Sequence, residues 1–125
     1  AETALAVGAQ SVASAAVQFV ARALPLDRSH VLVVGAGATG TKVARHLRAL
    51  GVGRLVVTNR TADRAAALAT RLGAETAPFT ALQDALGVAH AVVCAVDAPT
   101  PLITRDDLAW AAAARQGRPL MAVDL

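Results

Sequence analysis

The chain's architecture follows from one segment, Val31-Leu32-Val33-Val34-Gly35-Ala36-Gly37-Ala38-Thr39-Gly40. Its first four residues are apolar and mostly β-branched, without polar alternation, which is typical of a strand buried on both faces of a parallel sheet. Glycines then follow in the spacing G-x-G-x-x-G, and residues 38–50 carry apolar side chains at helical spacing. A buried strand, a glycine-rich turn and a helix in this order predict the first βα unit of a dinucleotide-binding domain.

Each glycine of the segment has its own predicted role. Gly35 allows the tight turn out of the strand, Gly37 lets backbone N–H groups approach a pyrophosphate, and Gly40 lets the helix lie close to the sheet. The start of the following helix adds unpaired N–H donors and a partial positive charge. We therefore expect the phosphates of a dinucleotide to lie over Gly35–Gly40.

Strand and helix patterns alternate along the rest of the chain. Strands are expected at 31–34, 54–58, 75–77, 89–95 and 120–125, and helices at 11–24, 38–50, 62–72, 80–86 and from Thr104 onward. Ser11 and a capping box at 80–83 are expected to begin two of the helices, and the loop 97–101 has two prolines. The alternation predicts one α/β domain with a Rossmann-type doubly wound parallel sheet.

Apolar positions predict how the first two of these helices pack. In the first helix, the buried face is expected to carry Val12, Ala16, Phe19 and Leu24. In the second, the apolar stripe is Val43, Leu47 and Leu50. Residues 28–125 are predicted to form the nucleotide-binding domain, and residues 1–27 a segment and helix that pack on it.

Length and composition agree with one compact domain. The chain has 125 residues, of which 55% are hydrophobic, and a formal net charge of +3. The arginines are scattered and no aromatic residues interleave with them, so the charge does not indicate base stacking on nucleic acid. A single cysteine, Cys94, excludes an intrachain disulfide and favours a reducing, cytoplasmic setting. No apolar run is long enough to predict a membrane span, and no histidine has the spacing of a metal ligand.

The tip of the second strand indicates which nucleotide is preferred. NAD sites usually place a carboxylate roughly 20 residues beyond the first glycine, where it accepts from the ribose 2′-hydroxyl. This chain has Asn59, Arg60 and Thr61 there instead, and Arg64 follows one helical turn later. A guanidinium binds a phosphate through paired hydrogen bonds, so NADP(H) is the expected cofactor.

Several segments together resemble one known family. They are Glu2-Thr3-Ala4, Ser11-Val12-Ala13-Ser14-Ala15-Ala16-Val17, Val31–Gly40, Asn59-Arg60-Thr61, Ala98-Pro99 with Pro101-Leu102-Ile103-Thr104, and Gly117-Arg118-Pro119-Leu120 with Asp124-Leu125. On these segments the chain resembles the NADP-binding domain of glutamyl-tRNA reductases. The triplet Asn59-Arg60-Thr61 alone is shared with shikimate dehydrogenases, whereas the segments at 11–17 and 98–104 favour the reductase.

The resemblance implies a role within a longer enzyme. Such reductases use NADPH to convert glutamyl-tRNA to glutamate 1-semialdehyde, which opens the five-carbon route to tetrapyrroles, the porphyrin precursors. A cysteine on a separate N-terminal domain holds the glutamyl group as a thioester, and a C-terminal helical domain forms a homodimer. Neither flanking domain is in this sequence, so the fragment is expected to bind cofactor without turnover and to hold no catalytic residue.

The sequence departs from the family pattern in two loops. The pair between the second and third glycines is Ala38-Thr39 instead of a bulky or polar pair, and the loop after the fourth strand reads Cys94-Ala95-Val96-Asp97 instead of Ser-x-Thr-Gly. We interpret Cys94 as a small core residue, and we expect the loop after it to face the nicotinamide half. The expected cofactor-binding residues are Gly35, Ala36, Gly37, Ala38, Thr39, Gly40, Asn59, Arg60, Thr61, Arg64, Ala95, Val96 and Asp97.

Two other functions fit the same residues. One is the NADP domain of a shikimate dehydrogenase-like oxidoreductase, which would need an upstream substrate domain. The other is a non-catalytic Rossmann module that senses nucleotide or serves for docking, which would fold without binding NADPH.

Overall fold

A five-stranded parallel sheet forms the centre of the protein. In the computed structural model the described residues are 9–96 and 103–125, so Glu2-Thr3-Ala4 and the loop 97–101 lie outside them. The strands are β1 (His30–Val34), β2 (Arg54–Thr58), β3 (Glu75–Thr76), β4 (Ala91–Cys94) and β5 (Met121–Asp124). Their order is β3-β2-β1-β4-β5, and every neighbouring pair is parallel. This confirms the predicted doubly wound α/β fold. In such a fold the order of strand addition switches from one side of β1 to the other, and the switch leaves a crevice between β1 and β4.

Helices connect the strands on both faces of the sheet. They are α1 (Ala9–Ala23), α2 (Ala38–Ala49), α3 (Ala62–Leu72), α4 (Leu82–Val88) and α5 (Arg105–Arg115), with short 3-10 turns at Leu26–Arg28 and Phe79–Ala81. The first three helices cover one face and the last two cover the other.

The strands divide the core into two layers because successive side chains point to opposite faces. Val31 and Val33 of β1 pack with the helix residues Ala13, Val17, Val20, Val43, Leu47, Ala65 and Leu68. Leu32 and Val34 pack on the other face with Leu82, Leu86 and Ala111. The four residues of the run 31–34 are buried, as its lack of polar alternation predicted, and His30 precedes them as a fifth buried residue of β1.

The buried face of α1 differs from the prediction. The helix is described from Ala9, so Ser11 lies inside it instead of before its first residue. Val12 and Phe19 are exposed, and Leu24 lies beyond the helix, half-buried. The buried residues are Ala13, Ala16, Val17 and Val20. Ser14, Gln18 and Arg22 follow at four-residue spacing and form a polar stripe, and packing on α2 and the sheet buries the opposite side of α1, so Val12 and Phe19 lie between the two.

Two further predictions at helix ends were wrong. Leu50 follows the last residue of α2 and is 55% exposed, so the buried stripe of that helix ends at Leu47. The expected capping box at 80–83 is absent. Thr80 lies in a 3-10 turn in which the Ala81 N–H donates to Pro78 O at 2.9 Å. Helix α4 begins after Ala81 and has no side-chain cap. A proline-led tight turn therefore replaced a regular helix start.

Candidate nucleotide-binding site

The loop after β1 is shaped by Gly35. Its φ is +117°, in the left-handed region that side chains rarely adopt, and an added Cβ would collide with the backbone oxygen of Ala95. The Gly35 N–H donates to Thr58 O at 2.9 Å. Gly35 therefore joins the carboxyl ends of β1, β2 and β4 in one compact corner.

The other two glycines lie on opposite sides of this loop. Gly40 is buried, and an added Cβ would collide with the Gly35 carbonyl, so the first turn of α2 lies directly against the loop. Gly37 is exposed, precedes α2, and has no heavy atom within 4 Å of an added Cβ. The start of α2, whose first N–H groups have no intrahelical acceptor, therefore lies beside open space over Gly37.

Asn59 links the two loops at the ends of β1 and β2. Its Oδ1 accepts from the Ala36 N–H at 3.3 Å, and its Nδ2 donates to Thr61 O at 3.2 Å. The side chain holds the position where an NAD site would have a carboxylate, but its oxygen is directed at the glycine loop. Sequence reasoning included Asn59 among the site residues without this bridging role.

Arg60 extends from the same edge of the sheet. Its side chain is exposed, and its guanidinium carbon lies 5.9 Å from the ring centroid of Phe79. Within residues 9–96 and 103–125, no carboxylate lies at ion-pair distance from Arg60. Its guanidinium donors are therefore available to an anion.

Thr61 and Arg64 lie at the start of α3. Thr61 occupies the position before the helix, yet its side chain accepts no capping hydrogen bond. The side chain of Arg64 is exposed on the first turn, and the Arg64 main-chain N–H donates to Thr61 O at 3.2 Å. Asn59, Arg60, Thr61 and Arg64 thus form one continuous edge beside the glycine loop.

The loop after β4 provides the third predicted part of the site. The Ala95 N–H donates to Val34 O at 2.9 Å, and an added Cβ on Gly35 would lie 2.9 Å from Val96 Cγ1. Ala95 and Val96 therefore adjoin the glycine loop, while Asp97 lies outside the described residues.

Cys94 has the properties of a core residue. It is 9% exposed at the end of β4, and its pKa is raised, first by burial and then by the charge of Asp124 on the neighbouring strand. A thiol in this setting is a poor nucleophile. In the described part of the chain, no three His, Cys, Asp or Glu side chains come close enough to hold a metal ion.

Sequence reasoning missed Phe79. The ring follows β3, the strand that pairs with β2, so its turn adjoins the segment that carries Arg60. Pairing of these two strands could have suggested the contact, because parallel strands bring their carboxyl ends to one edge of the sheet.

The parallel strand order, the glycine corner and the exposed start of α2 define a Rossmann-type domain. By comparison with protein-family models, the chain belongs to the shikimate / quinate 5-dehydrogenase family, whose model matches residues 14–125.

Within this class, glutamyl-tRNA reductases are among the individual proteins that the chain resembles over nearly its whole length. The Myxococcus xanthus reductase is 45% identical over 125 residues, which are 99% of this chain and 28% of the relative. The solved Methanopyrus kandleri reductase superposes with a TM-score of 0.80 at 43% identity, over 93% of this chain and 30% of that one. Shikimate 5-dehydrogenase from Thermus thermophilus, solved with NADP(H) and shikimate, gives a TM-score of 0.55 at 30% identity, over 74% of this chain and 36% of that one.

The chain spans under a third of the length of the Myxococcus xanthus and Methanopyrus kandleri reductases. Over the part of the reductases that this chain covers, the predicted resemblance to glutamyl-tRNA reductases and the predicted Rossmann-type fold are both confirmed. Among the described helices, none combines the length and apolar character needed to cross a membrane.

Proposed function

We propose that this chain is the NADP(H)-binding domain of a glutamyl-tRNA reductase. In this proposal residues 28–125 of the chain form the domain and residues 1–27 pack on it. The observation that carries the proposal is the combination of a glycine loop open over Gly37 with the guanidinium of Arg60 at the neighbouring strand end, which has no carboxylate partner among residues 9–96 and 103–125. An amide-lined corner suits a diphosphate, and a guanidinium suits one further phosphate.

The proposed binding mode assigns each loop to one part of the cofactor. The pyrophosphate lies over Gly35–Gly40, where the first N–H groups of α2 and the partial positive charge of the helix start bind it. Arg60 and Arg64 bind the 2′-phosphate, and Asn59 and Thr61 keep the strand end in place. Ala95, Val96 and Asp97 border the nicotinamide side.

The parent enzyme would use this domain to present a hydride donor. NADPH, when bound, supplies the hydride that reduces the glutamyl group of glutamyl-tRNA to glutamate 1-semialdehyde, for tetrapyrrole biosynthesis in the cytoplasm. We assign the acyl-binding cysteine and the tRNA contacts to an N-terminal domain, and homodimer formation to a C-terminal one. This chain binds and orients the cofactor, and its residues include no catalytic group.

A shikimate dehydrogenase-like oxidoreductase is the second candidate. The description of the matching family model and the shared Asn59-Arg60-Thr61 triplet favour it. The reductase is the better assignment because the identity is 45% over 99% of the chain with a reductase, against 30% over 74% with the solved shikimate dehydrogenase.

Titration of the domain with NADPH and NADH by isothermal calorimetry tests the proposal. We expect NADPH to bind more tightly, and Arg60→Ala to weaken NADPH roughly ten- to a hundredfold while leaving NADH unchanged, because charge-assisted hydrogen bonds to the 2′-phosphate are lost.

Arg71→Ala is the matched control, since Arg71 is exposed in the last turn of the same α3 helix, away from the site. A folded domain that binds neither nucleotide would refute the proposal and favour a non-catalytic docking module. Equal loss from both arginine substitutions would refute the role of Arg60.

A further inference from the structure

Phe79 is a firmly held aromatic ring at the edge of the site. It is half-buried and packs against the core layer that contains Val56, Leu82 and Leu86. Its backbone lies in the 3-10 turn after Pro78, and the preceding Ala77 N–H donates to Val57 O at 3.1 Å. The ring therefore has a fixed position relative to the end of β2.

The contact between Phe79 and Arg60 is a cation–π contact and involves no carboxylate. At 5.9 Å from the ring centroid, the guanidinium interacts with the π system through its charge. A carboxylate partner would instead use the N–H donors that bind a phosphate. On β3, the carboxylate of Glu75 is already bound by Arg54 at 2.7 and 2.9 Å, so it does not compete for Arg60.

We propose that Phe79 is a specificity-determining positioning residue, which holds the Arg60 guanidinium ready for the 2′-phosphate of NADP(H). This inference rests on the proposed function, because it needs NADP(H) to bind at this edge. A long exposed side chain loses conformational freedom when it binds a ligand, and a residue that restrains it beforehand reduces that cost. The ring therefore increases affinity for the phosphorylated nucleotide without contacting it.

Phe79→Leu tests this role, because leucine retains apolar packing and removes the ring. We expect NADPH to bind about two- to tenfold more weakly and NADH to bind as before, so the ratio of the two dissociation constants changes. Phe79→Tyr, which keeps the ring, is expected to restore the ratio. In the Arg60→Ala background, Phe79→Leu is expected to leave the ratio unchanged.

Phe19→Leu is the matched control, since Phe19 is 60% exposed on α1 and far from the site in sequence. NMR of the free wild-type domain gives a readout that does not require a variant to fold: the Arg60 side-chain protons are expected to show upfield ring-current shifts. An unchanged ratio in Phe79→Leu, tighter NADPH binding, or unshifted Arg60 protons would each overturn the inference while leaving NADPH binding itself intact. Absence of any nucleotide binding by the wild type would overturn the proposed function and, with it, the inference.

Discussion

At the scale of single residues, Gly35 and Gly37 stand two positions apart and serve different purposes. Gly35 has a φ of +117° and no room for a side chain, whereas Gly37 has ordinary backbone angles and open space above it. The backbone angles of the first turn thus require Gly35, and the space over Gly37 is where we propose that phosphates lie. The glycine spacing predicted the tight turn at Gly35, whereas its contact with Ala95 depends on a distant strand, and the binding role of Gly37 stays a prediction.

Replacing each of these glycines by alanine separates folding from binding. Gly35→Ala is expected to lower the free energy of unfolding by about 3 kcal/mol, through backbone strain and overpacking against Ala95. Gly37→Ala is expected to change it by less than about 1 kcal/mol, as for other changes at the position before a helix, yet to weaken NADPH binding at least about tenfold. Urea unfolding and calorimetric titration measure the two effects; comparable stability loss in both variants would contradict the assignment.

Asn59 shows how a residue type can indicate a site without revealing its geometry. The missing carboxylate was legible in the sequence, but the bond from the Ala36 N–H to Asn59 Oδ1 depends on the pairing of β1 with β2. Residues distant in sequence meet there, so no local pattern could predict the contact.

Asn59→Asp is expected to shift the nucleotide preference toward NADH. A carboxylate at this position repels the 2′-phosphate and accepts from a 2′-hydroxyl, so NADPH binding should fall about tenfold and NADH binding should be maintained or improved. Asn59→Ala is the control, expected to weaken both nucleotides alike because it only breaks the link between the loops. The result to watch by calorimetry is the ratio of dissociation constants, and a ratio equal to the wild-type value would be contrary evidence.

At the scale of elements, helix starts differ in how far local sequence governs them. Thr104 accepts from the Asp107 N–H at 3.1 Å, and Asp107 Oδ2 accepts from the Thr104 N–H at 3.0 Å, which forms a reciprocal cap for α5. The hydrogen bond from the Thr104 N–H to the carboxylate is the main reason that the pKa of Asp107 lies below its usual value. Acidic residues in the first turn had predicted this start, whereas α4 began elsewhere because a proline-led turn preceded it.

Removing the two threonines at helix starts should have unequal effects. Thr104→Ala is expected to lower the free energy of unfolding by about 1 kcal/mol, the usual contribution of a capping side chain. For Thr61→Ala, the loss is expected to stay under about 0.5 kcal/mol, since the Thr61 side chain makes no capping hydrogen bond at α3. Urea denaturation of the two variants provides the comparison, and equal losses would argue against the cap.

At the scale of the whole molecule, Arg115 lies near the amino ends of β4 and β5, at the end of the sheet opposite the site. It is 4% exposed, and its guanidinium donates to the carbonyl oxygens of Leu86, Ala89, Arg118 and Pro119. These carbonyls belong to the segments that lead into β4 and β5. One buried side chain at the end of α5 thus holds together the two segments that precede β4 and β5.

Arg115→Met is expected to lower the free energy of unfolding by about 3 kcal/mol, because several main-chain carbonyls lose their partner. NADPH affinity below the unfolding temperature should stay at the wild-type value, since the site lies at the carboxyl ends of the strands. Arg118→Met, which removes an exposed arginine, is expected to cost less than about 1 kcal/mol. If the two variants unfold at the same urea concentration, the connecting role of Arg115 is wrong.

The sequence by itself determined three features: the alternation of strands and helices along the chain, the glycine turn after β1, and the missing carboxylate at the end of β2. They depend on hydrophobic period and on turn residues, which act over a few neighbours in the chain. The contact of Arg60 with Phe79 and the carbonyl partners of Arg115 required the folded molecule. Each of these depends on which distant segments the sheet brings together, and a pattern within one segment carries no information about that pairing.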